Sequence, residues 1–204
     1  MNGGRGPLHV ARLGEIEVAI RHYRRGGWMA PLLGDRYLDR PPRPFRELVV
    51  SERLRSAGVF TPRVVAGLAV SARPGYRADL ATEWLPGGES LESILAPEAL
   101  SSDERTEAIE ACGETVGEAH AAGLDHPDLN VSNLLLRREA GGAWSAALLD
   151  LDRARVGPPD RSAARRNLDR FERSLRKALR ADRIRWTEKD REAFAEGYRR
   201  GRSG

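Results

Sequence analysis

Asp128 stands five residues before Asn133 in the run His126-Pro-Asp-Leu-Asn-Val-Ser-Asn133, and about one hairpin later Leu148-Leu-Asp-Leu-Asp152 adds Asp150 and Asp152. An amide and carboxylates placed this way, each beside a short apolar segment, suit phosphoryl transfer from a nucleotide. One carboxylate orients an attacking hydroxyl, while an amide oxygen and a second carboxylate hold Mg²⁺ on the triphosphate. Asp128 is the candidate base. Asn133 and Asp150 are the candidate ligands of magnesium, a hard cation that prefers oxygen. His126 joins Asp128 as the second catalytic-loop residue, with hydrogen-bonded bracing of the loop as its expected part. Asp152 lies two residues beyond Asp150, on the same side of an extended chain, and serves either as a further ligand or as a local hydrogen-bond anchor. A plain polar turn uses the same residue types. The joint spacing of the polar groups across two apolar segments sets this run apart.

Elements able to position these groups follow from the pattern. Ile16–Tyr23 alternates and is β-branched, so it reads as a strand. A helix is expected from about Phe45 to Ala57, with Leu48, Val49 and Leu54 at helical spacing and Gly58 as its cap. Residues 62–70 and 76–84 read as a hairpin around Arg73-Pro-Gly75, and Pro86-Gly-Gly88 as a hinge. A short helix starts at Ser90. Residues 103–122 form a long amphipathic helix with Ile109, Cys112, Val116 and Ala119 on one face, ended by Gly123. The candidate site lies in a loop, strand, Gly141-Gly142 turn and strand. The last 45 or so residues are helical, with Leu168, Phe171, Leu175 and Leu179 in line and a capping box at Thr187-Glu-Lys-Asp190.

The expected fold is α+β and protein-kinase-like: a small antiparallel-sheet lobe over residues 1–85, with a truncated first strand, and a mainly helical catalytic lobe over 86–204. The 204 residues suit two small lobes sharing a cleft. Composition excludes several classes. Hydrophobic residues make up 40% and charged residues 31%, which suits a folded chain. No apolar run approaches the roughly 18 to 20 residues that span a bilayer, and the first residues do not resemble a secretory signal. The single cysteine, Cys112, excludes an internal disulfide and reads as core filler. The net charge is +4 with lysine only at Lys177 and Lys189, so the excess is arginine. Guanidinium forks bind phosphate and carboxylate, and a polyanionic partner fits this balance. Nucleic acid is not expected, since neither an aromatic stacking platform nor a recognition helix of known type is present.

The run His126 to Asn133 matches the kinase catalytic loop H-x-D-x-x-x-x-N, with Asp150 at the position of the later metal-binding Asp. Val18-Ala-Ile-Arg21 then falls where kinases carry Val-Ala-Ile-Lys. Arg21 would hold phosphates in place of lysine, with Glu47 as its helix partner; Glu52 lies on another face. An edge-strand surface charge is the plainer reading of Arg21. Gly3, Gly4 and Gly6 would let backbone amides approach phosphate oxygens. Glu83 and Leu85 fall at the lobe connection, where backbone groups read an adenine edge. ATP and Mg²⁺ are thus the expected cofactors.

Gly3-Gly-Arg-Gly, Ile20-Arg-His-Tyr-Arg-Arg-Gly-Gly27, the catalytic loop with Leu149-Asp-Leu-Asp-Arg-Ala-Arg155, and Asn167-Leu-Asp-Arg-Phe-Glu-Arg-Ser-Leu-Arg-Lys177 together resemble the lipopolysaccharide kinase (Kdo/heptose kinase) family over nearly the whole chain. Asp35-Arg-Tyr-Leu38 adds to the likeness. The resemblance implies ATP-dependent phosphorylation of a hydroxyl of a 3-deoxy-D-manno-octulosonic acid (Kdo) residue on lipid A precursor, in lipopolysaccharide core biosynthesis. It also implies peripheral attachment at the cytoplasmic face of the bacterial inner membrane, arginine in place of the usual lysine, Asp128 as base, and Asn133 and Asp150 as metal ligands. The chain departs from the family's pattern in reading Leu-Asp-Leu-Asp rather than Leu-Asp-Phe-Asp. A basic helix carrying Arg165, Arg166, Arg170, Arg173, Arg176 and Lys177 would face anionic lipid or simply solvent. Alternatives are a heptose or aminoglycoside-like kinase, or a catalytically impaired lipid-binding pseudokinase. A protein kinase is disfavoured, because no Ala-Pro-Glu segment follows Asp150.

Overall fold

The computed structural model describes residues 8–24, 34–97 and 100–204. The chain forms two compact units, one drawn from Met1–Glu52 and Pro62–Trp84, the other from Arg53–Thr61 and Leu85–Gly204.

The first unit is built on an antiparallel sheet. Its strands are β1 (His9–Leu13), β2 (Ile16–His22), β3 (Val64–Ser71) and β4 (Tyr76–Glu83), in the order β1-β2-β4-β3. The register pairs His9 with Ile20 and Arg21 with Leu80. Every residue of β1 is exposed, so its sequence lacks the apolar alternation that marks β2. One face of the sheet buries Tyr23, Tyr76, Ala78 and Leu80, and Tyr37 joins them from outside the sheet. Tyr37 and Tyr76 exchange backbone hydrogen bonds of 2.8 and 2.9 Å. This brings the Tyr37 carbonyl so near Gly75 that a Cβ there would lie 2.0 Å away, and Gly75 has φ +88°. The family-like run at Asp35 is therefore a strap along β4.

Helix α1 runs from Arg43 to Ser56 and ends in a Schellman motif. Val59 N–H bonds to the Leu54 carbonyl and Gly58 N–H to that of Arg55, each at 3.0 Å, with Gly58 at φ +84°. The buried face of α1 differs from the expected one. Glu47, Val50, Ser51 and Leu54 are buried, whereas Leu48 is 37% and Val49 50% exposed. The rotation follows from Glu47, whose carboxylate must face Arg21 and Tyr23 to be satisfied inside the protein.

The second unit is mainly helical. A short helix α2 (Leu91–Ile94), capped by the Ser90 side chain, precedes α3 (Ser102–Ala121). Short strands follow: β5 (Glu89–Ser90) pairs with β7 (Leu134–Arg138), β7 with β8 (Trp144–Leu148), and β6 (Leu124–Asp125) with β9 (Arg155–Val156). The chain ends in α4 (Arg161–Arg180) and α5 (Glu188–Ser203), the latter opened by the capping box expected at Thr187 and Asp190.

Ile109, Cys112, Val116 and Ala119 are buried on one face of α3, as their spacing requires. Burial pushes the Cys112 thiol far up, so it stays an inert core group. On the α5 side, Gly113 and Gly117 of α3 meet Gly197 and Gly201 of α5 almost backbone to backbone. A Cβ on Gly197 would lie 2.0 Å from the Glu110 carbonyl oxygen, and one on Gly117 would lie 2.4 Å from that of Tyr198. Only glycine permits this approach. It draws Tyr198 against His120 and fixes the helix that leads into the candidate catalytic loop. Among the described residues no helix is long and apolar enough to cross a membrane.

Candidate active site

In the second unit, residues 126–133 form a loop held almost entirely by its own polar groups and by α4. Asn133 donates from Nδ2 to the Asp128 carbonyl at 3.0 Å, and Asn130 donates to the same carbonyl at 2.7 Å. Asn130 Oδ1 accepts from Ser132 N–H at 2.9 Å, an Asx turn that sequence chemistry favours here. Val131 N–H donates to Ser174 Oγ on α4, and Ser132 Oγ donates to Glu92. Glu92 is also bound by Arg183. The loop is thus rigid before any ligand arrives.

His126 is completely buried. Its N–H donates to Asn167 Oδ1 at 2.7 Å, and its Nε2 lies 3.2 Å from the Leu149 carbonyl, so Nε2 carries the proton. Burial pulls its pKa below the ordinary range, opposed by the Leu149 hydrogen bond and by the charges of Asp150, Asp128 and Asp152. The imidazole is a neutral brace between the loop and the segment carrying Asp150, and it has no path to a substrate.

Asp150 sits at φ +62°, a left-handed conformation unusual outside glycine but tolerated by Asp. The preceding Leu149 N–H bonds to the Asn133 carbonyl at 2.9 Å, which ties the two candidate metal ligands together through the backbone. The Asn133 amide nitrogen is fixed by the Asp128 carbonyl, so only its side-chain oxygen is of the type that could meet a cation. An amide oxygen and a nearby carboxylate fit magnesium, which takes few protein ligands and completes its shell with phosphate and water. Among the described residues no cluster of three His, Cys, Asp or Glu side chains could hold a metal ion.

The Asp128 carboxylate faces solvent at 37% exposure and meets two arginines: Arg170 at 3.2 Å and Arg153 at 3.6 Å. Spacing in the sequence marks neither as part of the site. Asn167 was also missed as a hub. Beyond His126 it accepts from His120 Nε2 at 3.3 Å and donates to Asp125 at 2.8 Å. The available signal was a polar residue four positions before Phe171, on the face of α4 that is otherwise apolar. The basic helix is divided as well. Arg166 reaches Asp125 at 3.6 Å and Arg170 reaches Asp128, so these two serve the loop, while Arg165, Arg173, Arg176 and Lys177 are exposed.

In the first unit, Arg21 and Glu47 meet. One Arg21 nitrogen lies 2.6 and 2.5 Å from the two Glu47 oxygens, and Tyr23 donates to Glu47 at 2.6 Å. The guanidinium also stacks 4.9 Å from the Tyr23 ring centre. Arg21 thus forms the strand-to-helix ion pair that lysine makes in other kinases. The Glu83 N–H is donated to the Arg63 carbonyl. Leu85 is buried at the start of the second unit. Gly3, Gly4 and Gly6 lie outside the described residues.

The sequence matches the lipopolysaccharide kinase (Kdo/WaaP) family over residues 2–198. The chain belongs to this family. It is 33% identical over 198 residues to a 3-deoxy-D-manno-octulosonic acid kinase of Vibrio vulnificus (strain YJ016), covering 96% of this chain and 80% of the relative. A protein of the same name from Xanthomonas oryzae pv. oryzae (strain PXO99A) is 36% identical over 179 residues, covering 86% and 68%. The fold matches the solved structure titled WaaP in complex with acyl carrier protein, with a TM-score of 0.65 at 22% identity, over 97% of this chain and 76% of that one. The lipopolysaccharide kinase is therefore an α+β protein of kinase-like fold, and a phosphotransferase of lipopolysaccharide core biosynthesis.

Proposed function

We propose that this lipopolysaccharide kinase transfers the γ-phosphoryl group of ATP to a hydroxyl of a Kdo residue on lipid A precursor. The observation that supports this most is the hydrogen-bonded loop that ties Asn133 to the Asp128 carbonyl and the Leu149 N–H, next to Asp150, to the Asn133 carbonyl, in a chain one-third identical to proteins named for that acceptor. Asp128 accepts the hydrogen of the attacking hydroxyl. Asn133 Oδ1 and the Asp150 carboxylate hold magnesium, which neutralises charge building on the phosphoryl oxygens. Arg21 steadies the phosphates and is itself aimed by Glu47 and Tyr23. Gly3, Gly4 and Gly6 supply backbone amides to phosphate, and Glu83 and Leu85 meet the adenine through main-chain groups. The exposed Arg165, Arg173, Arg176 and Lys177 rest on anionic lipid at the cytoplasmic face of the inner membrane, each worth roughly 1 kcal/mol near such a surface.

Purified protein incubated with radiolabelled ATP, Mg²⁺ and Kdo-bearing lipid A precursor tests the reading. Label should move to the lipid, need Mg²⁺, and be lost with Asp128→Ala. Transfer only to heptosylated acceptors would replace Kdo by heptose. Lipid binding with no transfer to any acceptor would overturn the catalytic assignment.

A further inference from the structure

We propose that Arg153 and Arg170 form an anion subsite for the carboxylate of the acceptor sugar, and that the acceptor takes these guanidinia over from Asp128 as it binds. The inference rests on the Kdo reading above, because an octulosonic acid carries a carboxylate beside its hydroxyls and a neutral sugar does not.

The geometry is specific. Arg170 addresses Asp128 Oδ1 at 3.2 Å and Arg153 addresses Oδ2 at 3.6 Å, so the two carboxylate oxygens face different guanidinia. The arginines come from separate elements. Arg170 is on α4, and Arg153 lies in the turn at 152–153 that follows Asp150. The loop and helix between them are braced by Asn167 and Ser174. A hydroxyl placed for Asp128 must lie within hydrogen-bond distance of it. The rest of that sugar then falls within one side chain's reach of both guanidinia.

Solvation makes the exchange feasible. Asp128 is 37% exposed, Arg170 42% and Arg153 61%, and exposed ion pairs hold weakly. A planar guanidinium recognises an incoming carboxylate as well as it does the resident one. In the structure Arg170 hydrogen-bonds one of the oxygens available to the hydroxyl and Arg153 pairs with the other at 3.6 Å, so both compete with it. Handing them to the acceptor carboxylate leaves Asp128 to take the hydroxyl hydrogen. Acid-sugar recognition and base availability then become one event, and a neutral sugar such as a heptose would leave Asp128 engaged.

The test is a cycle between protein and acceptor. Equilibrium binding and steady-state kinetics at saturating ATP are measured for Kdo-bearing lipid A precursor and for the same lipid with its Kdo carboxylates converted to carboxamides. In the unaltered protein the carboxamide should bind, and show an acceptor KM, on the order of ten- to a hundredfold weaker. Arg170→Gln should weaken binding of the acid acceptor similarly yet leave carboxamide binding nearly unaffected, and should raise rather than lower kcat on the carboxamide because Asp128 is partly released, with ATP KM unchanged. Arg153→Gln gives the same pattern at smaller size and stands in if Arg170→Gln fails to fold. Equal binding of acid and carboxamide by the unaltered protein overturns the subsite whether or not turnover occurs. So do variants that lower kcat equally on both acceptors. A lipid whose phosphates rather than carboxylates carry the Arg170 dependence would also overturn it. Absence of label transfer from every acceptor, with the binding cycle intact, would instead remove the Kdo kinase reading and leave the anion subsite.

Discussion

Glu47 and Asp128 are both carboxylates held by arginine, yet they sit in opposite solvents. Glu47 is 4% exposed and takes the Tyr23 hydroxyl as well as Arg21. Asp128 is exposed at more than a third of its side chain, and both of its arginines are wetter still. Removing one partner from a buried pair strands a charge and costs several kcal/mol. Removing one from an exposed pair costs little, because water replaces it. The first arrangement therefore fixes a side chain in place, and the second lets one change partners. Under the proposed reading the two serve different ends: Glu47 braces the phosphate-holding cation, and Asp128 can give up its arginines for the hydroxyl.

The comparison breaks most sharply on turnover. Asp128→Asn should lower kcat by about 10²- to 10⁴-fold while shifting the chemical-denaturation midpoint by the equivalent of less than about 1 kcal/mol. Parallel loss of stability and activity would put Asp128 in the structural class with Glu47. Glu47→Ala should do the reverse, costing on the order of 3 to 5 kcal/mol of unfolding free energy read by denaturant titration. A near-neutral result would mean that Arg21 finds an equivalent partner. Asn167→Ala leaves the buried His126 N–H without an acceptor, at about 1 to 3 kcal/mol. Hydrogen exchange at the 126–133 loop should quicken in this variant, and unchanged exchange would remove Asn167 as its anchor.

A pH dependence supplies a further test. Burial lowers His120 from 6.5 to about 4, only partly offset by its hydrogen bond to Asn167. The unfolded chain therefore takes up a proton that the folded chain refuses. The stability His120 contributes is complete above pH 6.5 and declines as the pH falls toward about 4. Thermal unfolding midpoints between those values should drop less steeply in His120→Gln. Identical slopes would show that other groups carry the acid sensitivity.

Much of the framework was legible from local rules. The strand around Arg21, the Gly58 cap, the Thr187 capping box and the buried face of α3 each follow from spacing or from one residue's backbone preference. The face of α1 was not legible. Leu48 and Val49 are more apolar than Glu47, and only the presence of Arg21 and Tyr23 across the fold reverses the order of burial. Arg166 and Arg170 were likewise read as part of a uniformly basic face. Helical spacing places them together, but it does not say that Asp125 and Asp128 lie opposite. β1 escaped notice because a fully exposed strand has no apolar alternation to read.

By itself the sequence singled out Asp128, Asn133 and Asp150 as candidates for chemistry, because their joint spacing sets them apart from a plain polar turn, and it determined where helices begin and end, because caps act within a few residues. The tertiary structure decided which carboxylate is sealed and which is open to exchange. Solvation depends on what the rest of the chain brings alongside, and contacts between residues 26 or 42 positions apart, as in Arg21–Glu47 and Asp128–Arg170, leave no periodic trace in the sequence.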